Sequence, residues 1–364
     1  MEASAAVLEE FNEPLQIRRF PLVPLEKGEM RVRVTHSGVC GSDLHMWRGH
    51  DERVPLPMIP GHEGVGEVAE LAGTKTDLFG RELNEGDPVL WERGVMCGEC
   101  YHCLVKQEPS QCPDRKTFGI SFSCKEKPHF LGCYAEYLHL PAGHPVVKLD
   151  LDVERKLLVP AMCSGATAAH AADTCGLEPG DTALVVGPGP LGLFTVAEML
   201  DRGASKVWVA GTTRSRPRLK IAEEFGATET FDSQATDPSE IRSELRDKTR
   251  GVGVNVIVDC SGKAPVMEDW IDLVAAGGTY SLPGIATPQP DVSLDLFSQV
   301  SRKNVNVQGV WVSDVRHTWR AANLVASGMY PFEQIVTHTF PLEEATEALK
   351  ATENREAVKA VITP

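Results

Sequence analysis

The chain has 364 residues, enough for two domains, and the composition of an ordinary soluble globular enzyme. Its 36 basic and 51 acidic residues leave a formal net charge of -15, which argues against a nucleic-acid or anionic-membrane partner. No stretch approaches 18 uninterrupted apolar residues, and the first residues do not form a secretory signal, so we expect a cytoplasmic protein. The ten cysteines then predict metal ligands and buried thiols rather than disulfides.

The N-terminal part is predicted to be mainly β. Residues 30–36 alternate apolar and polar side chains, residues 65–71 do so similarly, and a third short strand begins at about residue 87. The loops that connect these strands therefore carry the chemically interesting residues.

One such pair of loops carries a candidate metal site. Cys40 and His62 are 22 positions apart with three prolines between them, so they cannot share a helix but can converge from two loops. Taken singly, each has a plainer explanation, a small buried thiol or a satisfied polar ring. Asp43 is the natural candidate to hold the second imidazole nitrogen, and Glu63 could do the same or approach the metal directly. Two ligands do not hold zinc, so a third is required.

Four further cysteines are concentrated in sixteen residues, with the spacing C-x2-C-x2-C-x8-C: Cys97, Cys100, Cys103 and Cys112. Such a cluster can wrap a closed tetrahedral thiolate site that couples metal binding to local folding. The alternative is a reduced cysteine-rich loop without metal, but no apolar periodicity explains these positions. The sequence therefore predicts a structural zinc.

From about residue 161 the pattern changes. Strand-like apolar runs alternate with helical segments, which predicts repeated β-α units and a doubly wound parallel sheet. The strand-like runs are residues 182–186, 207–210 and 254–259, and the helical segments that follow them are residues 191–200, 219–225 and 266–276.

The final part, from about residue 307, is more similar to the N-terminal part than to further β-α units. We therefore expect a nucleotide domain inserted into a catalytic one. The predicted limits are residues 1–160 and 307–364 for the catalytic domain and residues 161–306 for the dinucleotide-binding domain.

The first β-α unit contains a G-x-G-x-x-G sequence between an apolar strand and an apolar helix. In it, Gly187 permits a tight turn, Gly189 lets a pyrophosphate approach the backbone, and Gly192 lets the helix pack closely on the strand. With Pro190 and Leu191 opening the helix, the helix N-terminus would bind the phosphates. The alternative is a purely structural glycine turn.

The cofactor preference depends on the end of the second strand of this domain. NAD-binding chains carry an acidic residue there for the ribose 2′-hydroxyl. Here no acidic residue lies between positions 206 and 222, and the segment holds Thr212, Thr213, Arg214 and Arg216 instead. Hydroxyls and guanidinium groups suit a 2′-phosphate, although the arginines could also be solvated residues at a helix start. The sequence therefore favours NADP over NAD.

Together these motifs resemble those of the zinc-dependent medium-chain alcohol dehydrogenases over nearly the whole chain. The motifs are residues 38–45, residues 61–66, the four-cysteine segment and the glycine loop. The resemblance implies a GroES-like, mainly β catalytic domain with an inserted Rossmann domain. It also implies two zinc ions per chain, NAD(P) as cofactor, and a homodimer or homotetramer.

The resemblance also assigns roles to residues. A cysteine, or sometimes an acidic residue, about two dozen positions before the glycine loop completes the catalytic zinc site in the family, and Cys163 stands there in this chain. Ser42 would take the substrate's proton, His45 would pass it towards solvent, and Asp43 would support His62. This chain departs from the family in two places: the last gap of the cysteine segment is eight rather than seven residues, and the acidic ribose ligand is absent.

The implied reaction is hydride transfer between NAD(P) and an alcohol or its matching ketone. The alcohol is expected to be a secondary alcohol or polyol. A catalytically inactive, dinucleotide-binding regulatory or structural member is one alternative, but the ligands and relay residues it should have lost are present. A zinc hydrolase or lyase is another, and it leaves the glycine loop unexplained. Trp47, Trp91 and Trp311 are candidates for the substrate pocket, with ordinary packing as the alternative.

Overall fold

The computed structural model describes residues 1–51, 54–150 and 152–364, which form two compact units. The first unit consists of Met1–Cys163, Ser313–Ser327 and Phe332–Pro364, and the second of Ser164–Val312 and Gly328–Pro331. The second unit is therefore an almost continuous segment inserted into the first.

Strands supply the sheets of both units. In chain order they are β1 (Glu2–Val7), β2 (Gln16–Pro21), β3 (Met30–Gly38), β4 (Gly64–Leu71), β5 (Pro88–Trp91), β6 (Gly94–Val95), β7 (Lys116–Thr117), β8 (Tyr137–Leu140), β9 (Val146–Lys148), β10 (Thr182–Val186), β11 (Lys206–Gly211), β12 (Glu229–Asp232), β13 (Val254–Asp259), β14 (Val274–Leu282), β15 (Asn306–Gly309), β16 (Val336–Pro341) and β17 (Lys359–Thr363).

The helices are short, and most of the long ones belong to the second unit. In chain order they are α1 (Gly41–Trp47), α2 (Tyr101–Leu104), α3 (Arg155–Leu158), α4 (Ser164–Thr174), α5 (Pro190–Asp201), α6 (Arg216–Glu224), α7 (Pro238–Lys248), α8 (Val266–Trp270), α9 (Val315–Ala326) and α10 (Ala345–Glu353). None of the helices in the described part of the chain has the length and apolar character needed to cross a membrane.

The first unit is built on a seven-stranded sheet in the order β16-β17-β3-β4-β5-β9, with β8 also paired to β3. Strand β3 is central and pairs antiparallel with β4, β8 and β17. The predicted alternation holds only partly, because β3 buries Arg31 as well as Val32 and Val34. The strands that pair with β3 on both sides explain this burial. The charge of the buried Arg31 is compensated by an ion pair with Glu70.

The second unit contains a six-stranded parallel sheet in the order β12-β11-β10-β13-β14-β15. Its central strands are nearly continuous apolar runs because parallel strands of this class are covered on both faces. The predicted doubly wound fold, inserted into a mainly β part, is confirmed.

Individual helix predictions had mixed outcomes. The segments predicted at 191–200 and 219–225 correspond to α5 and α6. The helix predicted at 266–276 was wrong beyond Trp270, because a short 3-10 turn follows and Val274 already begins β14. Pairing with β13 gives these apolar residues hydrogen-bond partners that a longer helix would remove.

Candidate functional site

The register of β3 on β4 brings Cys40 close to His62. Ser37 of β3 pairs with Gly64 of β4, so the chain leaving β3 and the chain entering β4 meet at one end of the sheet. Cys40 lies three residues after Ser37 and His62 two residues before Gly64. The two side chains therefore converge although they are distant in sequence.

Cys163 reaches the same place from a later segment of the first unit. It follows the turn Val159–Met162, and the backbone N–H of Gly64 donates to the Met162 sulfur at 3.2 Å. Gly38 is needed for this approach, because a Cβ there would lie 2.7 Å from Val159 Cγ1. The turn is thus held against the ends of β3 and β4.

The resulting donor set fits a zinc ion. Ligand atoms of Cys40, His62, Glu63 and Cys163 all lie within 4.8 Å of one another. The Sγ atoms of Cys40 and Cys163 are 3.9 Å apart. That matches the edge of about 3.8 Å expected for a tetrahedron with Zn–S bonds of about 2.3 Å. Two thiolates and an imidazole are also the ligands that zinc prefers.

Asp43 contacts both the Cys40 backbone and the imidazole. Its Oδ2 accepts from the Cys40 N–H at 2.7 Å, and its Oδ1 lies 3.4 Å from His62 Nδ1. This arrangement leaves Nε2 of His62 for a metal and fixes the ring. Burial lowers the pKa of His62, but the Asp43 carboxylate more than offsets this and raises it to about 10.

Glu63 is held by Lys359, which the sequence analysis did not identify. Both side chains are buried, and Lys359 Nζ lies 2.7 Å and 3.0 Å from the two carboxylate oxygens. Burial raises the pKa of Glu63 to about 7 against the opposing charge of Lys359. A lysine inside the apolar run at residues 357–362 was the signal that could have indicated a buried pair.

Arg93 is a second functional residue that the sequence analysis missed. Its side chain is buried, and Nη1 lies 2.8 Å from Cys163 Sγ. A charged Glu92-Arg93 pair directly after an apolar strand was the available signal, since surface charges seldom follow so closely on a buried tryptophan.

The two predicted relay residues lie on α1, the helix that begins directly after Cys40. Ser42 and His45 are both half-buried and are three positions apart, which puts them on neighbouring turns of one face. Their spacing is compatible with a path from the metal site outwards, and the relay itself stays a prediction.

The four-cysteine segment forms a second donor cluster. The Sγ atoms of Cys97, Cys100, Cys103 and Cys112 lie within 4.8 Å of one another, with 3.6 Å between Cys100 and Cys103 and 3.5 Å between Cys97 and Cys112. Hydrogen bonds from the backbone of Glu99 and Cys100 lower the pKa of the Cys97 thiol to about 7. Four thiols without an open position fit a structural zinc. The eight-residue gap ends in a 3-10 turn, Pro109–Gln111, directly before Cys112.

In the second unit the glycine loop has the geometry of a phosphate cradle. Gly187 has φ 97°, and a Cβ on Gly192 would lie 2.0 Å from the Gly187 carbonyl oxygen. Around Gly189, by contrast, a Cβ would meet nothing within 4 Å. Gly189 precedes α5, and Pro190 occupies its first turn. The open side of the loop therefore faces the free N–H groups of a helix N-terminus.

An acidic residue that the sequence analysis did not consider lies beside the segment expected to bind the ribose of adenosine. Asp232 ends β12. Its carboxylate accepts hydrogen bonds from Thr213 Oγ1 at 3.0 Å and from Arg216 Nε at 2.7 Å. It lies on the neighbouring strand, outside the stretch searched for an acid. Arg216 is thus engaged, whereas Arg214 is exposed and forms no ion pair with the described residues. Thr212 contacts Ser215 within the same turn.

The three tryptophans differ in exposure. Trp47 and Trp91 are buried, Trp47 donates to the Glu13 carbonyl at 2.7 Å, and Trp91 packs against Gly64. These contacts are those of core residues. Trp311, by contrast, is 43% exposed.

Two family models match the chain. The model described as "Alcohol dehydrogenase GroES-like domain" matches residues 26–150, and the model described as "Zinc-binding dehydrogenase" matches residues 190–327.

Individual proteins match over nearly the whole length. The 5-exo-hydroxycamphor dehydrogenase of Pseudomonas putida is 31% identical over 99% of this chain and 98% of its own, and the sorbitol dehydrogenase of Halalkalibacterium halodurans is 30% identical over 93% and 92%. Among solved structures, an alcohol dehydrogenase of Thermotoga maritima is 40% identical with a TM-score of 0.97, covering 100% of both chains. A zinc-binding dehydrogenase of Sinorhizobium meliloti, solved with NADP bound, is 25% identical with a TM-score of 0.87, again over 100% of both chains.

Proposed function

The chain belongs to the zinc-dependent medium-chain dehydrogenase family, and we propose that Cys40, His62 and Cys163 hold the catalytic zinc of this alcohol/ketone oxidoreductase. The observation that carries the assignment is the convergence of two thiols and an imidazole, with the two sulfur atoms 3.9 Å apart. We assign the first unit, Met1–Cys163, Ser313–Ser327 and Phe332–Pro364, to the catalytic domain and the second, Ser164–Val312 and Gly328–Pro331, to the nucleotide domain. The limits predicted at 160/161 and 306/307 were therefore too early, because Cys163 belongs to the first unit and strand β15 belongs to the parallel sheet of the second.

Each residue of the proposed site has a separate role in the reaction. When bound, zinc polarises the substrate's oxygen, and the nicotinamide exchanges hydride with the carbon that carries it. Asp43 keeps the His62 ring in its orientation. Ser42 accepts the hydroxyl proton, and His45 passes it to solvent. In ketone reduction the same two residues return the proton.

We assign Cys97, Cys100, Cys103 and Cys112 to a second, structural zinc, so that each chain carries two. Their mutual distances support the assignment, as do four sulfur donors with no further ligand position.

For the cofactor we favour NADP. Arg214 is exposed and free of ion pairs with the described residues, so its guanidinium is available to a 2′-phosphate beside the hydroxyl groups of Thr212 and Thr213. The NADP bound to the Sinorhizobium meliloti relative supports this preference. Arg216 contributes less, because Asp232 already offsets its charge.

The proposed substrate is a secondary alcohol or polyol and its ketone. Relatives are named for hydroxycamphor and sorbitol, and others are L-threonine 3-dehydrogenases, whose name denotes oxidation at a secondary carbon. Of the three candidate tryptophans we retain Trp311 as a substrate contact, because Trp47 and Trp91 are buried in the core.

We also propose that the protein is a homo-oligomer joined through the second unit. Strand β15 is an edge strand of the parallel sheet, with Val307 exposed. Nearby in sequence, the helical turn Leu296–Val300 exposes Leu296 and Phe297, the latter at 72%. Unpaired edges and apolar side chains of this kind are usually covered by a partner. Sedimentation of the native protein distinguishes a dimer or tetramer from a monomer.

The catalytic assignment is tested by measuring zinc per chain and alcohol oxidation on the same samples. We expect two zinc ions and turnover for the wild type, and one zinc and no turnover for Cys40→Ser, with NADPH affinity unchanged because the glycine loop lies in the other unit. Cys124→Ser is the matched control, since Cys124 is a buried thiol that contacts the Pro57 carbonyl and belongs to neither cluster. Turnover by Cys40→Ser would refute the assignment.

A further inference from the structure

We propose that Arg93 is a positioning residue of the catalytic metal site, whose guanidinium orients Cys163 and withdraws negative charge from its sulfur. The inference rests on the proposed function, because it takes Cys163 as a zinc ligand. It adds to that function a residue that tunes the metal through one of its ligands.

The guanidinium is held by two contacts on two different nitrogens. Nη1 lies 2.8 Å from Cys163 Sγ, and Nη2 donates to Ser313 Oγ at 3.0 Å. The Arg93 backbone is fixed as well, since its carbonyl accepts from the Phe118 N–H at 3.1 Å. The side chain is only 6% exposed. A planar fork anchored at both ends holds its plane, and therefore holds the sulfur it contacts.

Carboxylates near Arg93 are already occupied by other groups. Glu92 lies 3.6 Å from Arg115, and Glu63 is paired with Lys359. Among the described residues, no carboxylate lies within ion-pair distance of the Arg93 guanidinium. Within the described ranges, its Nε also has no hydrogen-bond partner. The Cys163 sulfur is thus the anionic atom to which this buried cation is directed.

The formal charges of the buried centre balance only when Arg93 is counted. Two thiolates, Cys40 and Cys163, and two carboxylates, Asp43 and Glu63, give four negative charges, with His62 neutral. Lys359, Arg93 and a divalent cation give four positive charges. Without Arg93, one buried negative charge would remain uncompensated, which is costly. With it, no positive charge is left over for a negatively charged substrate group.

This balance decides between two roles for a buried arginine beside a metal site. An arginine that recognises a substrate carboxylate should have spare charge in the free enzyme, and this one does not. A hydrogen bond to a ligand sulfur instead reduces the electron density that the sulfur gives to the metal. The metal would then act as a stronger Lewis acid than two unassisted thiolates allow.

The test replaces zinc by cobalt and records the sulfur-to-cobalt charge-transfer absorption. The spectrum of Cys40→Ser, which retains the four-cysteine site, is subtracted as the background. We expect Arg93→Met to move the remaining band to longer wavelength, because the sulfur becomes a better donor. Arg93→Lys, which keeps the charge and one donor, should move it less. Arg31→Met is the control, since Arg31 is another buried arginine of the first unit and contacts Glu70 and the Val23 carbonyl instead of Cys163.

The outcomes separate this inference from the function on which it rests. A wild-type spectrum with no band above the Cys40→Ser background would refute the catalytic metal site itself. A wild-type band that neither Arg93 variant moves would overturn the role of Arg93 alone. An unmoved band together with a raised KM only for carboxylate-bearing alcohols would show that Arg93 binds substrate. Should Arg93→Met fail to fold, Arg93→Lys and Ser313→Ala carry the test, and each should shift the band in the same direction.

Discussion

The ammonium group of Lys359 lies 2.7 Å from Oε1 of Glu63, and both side chains are buried, although 296 positions separate them. The contact ties the last strand, β17, to the loop that delivers His62 to the site. It also gives the carboxylate a hydrogen-bonding partner beside the metal ligands.

Removing that ammonium group should destabilise the protein severely. Lys359→Met leaves an unpaired buried carboxylate, and we expect the free energy of unfolding to fall by about 3–5 kcal/mol, as measured by urea denaturation. The double variant Glu63→Gln/Lys359→Met should recover part of the loss. The exposed pair of Arg48 and Glu353 is the control, and Arg48→Met should lower the free energy of unfolding far less, because solvent screens that pair. Equal effects at the two pairs would contradict the argument.

The four-cysteine cluster should govern stability more than catalysis. Cys100→Ser removes one of four thiolate ligands, so we expect one zinc per chain instead of two and a lower melting temperature, because structural zinc binding is coupled to folding. The residual zinc should remain at the catalytic site and support turnover at low temperature. A Cys100→Ser protein that lacks one zinc yet melts like the wild type would contradict this coupling.

Arg214 should control the choice between the two nicotinamide cofactors. Losing one charge-assisted hydrogen bond of about 1.5–3 kcal/mol should weaken NADPH binding to Arg214→Ala by about 10- to 100-fold, with little change for NADH. Fluorescence titration of both cofactors measures this. Asp232→Asn is the informative counterpart, since it releases Arg216 and should leave NADPH binding as tight or tighter. The NADP preference is wrong if Arg214→Ala binds NADPH as the wild type does.

His144 should make the protein sensitive to acid. Its Nε2 lies 2.6 Å from the Glu92 carbonyl oxygen, and burial lowers the pKa of the ring to about 4. The unfolded chain therefore binds a proton below about pH 6.5 that the folded chain does not bind until about pH 4. Stability contributed by neutral His144 is complete above about pH 6.5 and is lost as the pH falls, by up to about 3 kcal/mol.

The matched variant is His144→Gln, whose amide can still donate to the Glu92 carbonyl but does not titrate. Denaturation curves between pH 4 and pH 7 should show a smaller loss of stability for this variant than for the wild type. Parallel curves for the two proteins would show that His144 is not responsible.

Local patterns in the sequence were sufficient for the fold class and for the Cys40 and His62 donors, whereas Cys163 came only from the family resemblance. Cys40, His62 and the glycine loop lie in segments whose turns and periodicity depend on neighbouring residues. Arg93 and Lys359 could not be assigned in this way. Each is a cation whose partner is 70 or 296 positions away, and a charged side chain in a sequence is more often solvated than buried.

Asp232 was missed for a different reason. An acid was sought at the end of the second nucleotide strand, but adjacent parallel strands end at one edge of the sheet, so the third strand can supply a carboxylate to the same place. The helix predicted at 266–276 was too long for a similar reason. Whether Val274 continues a helix or begins a strand depends on its pairing with β13, which the local pattern does not encode.

The pairing of Ser37 with Gly64 means that the metal ligands converge only when β3 and β4 keep this register. Sliding β3 by a single residue along β4 would displace the loop carrying Cys40 by about 3.3 Å and reverse which side chains face the core. Two irregularities in this pairing, between Arg31 and Val32 and between Val34 and His36, set that alignment. Deleting one residue from either irregularity would therefore abolish activity although every metal ligand remained in the sequence. The two bulges are thus required for metal binding as much as the thiols are.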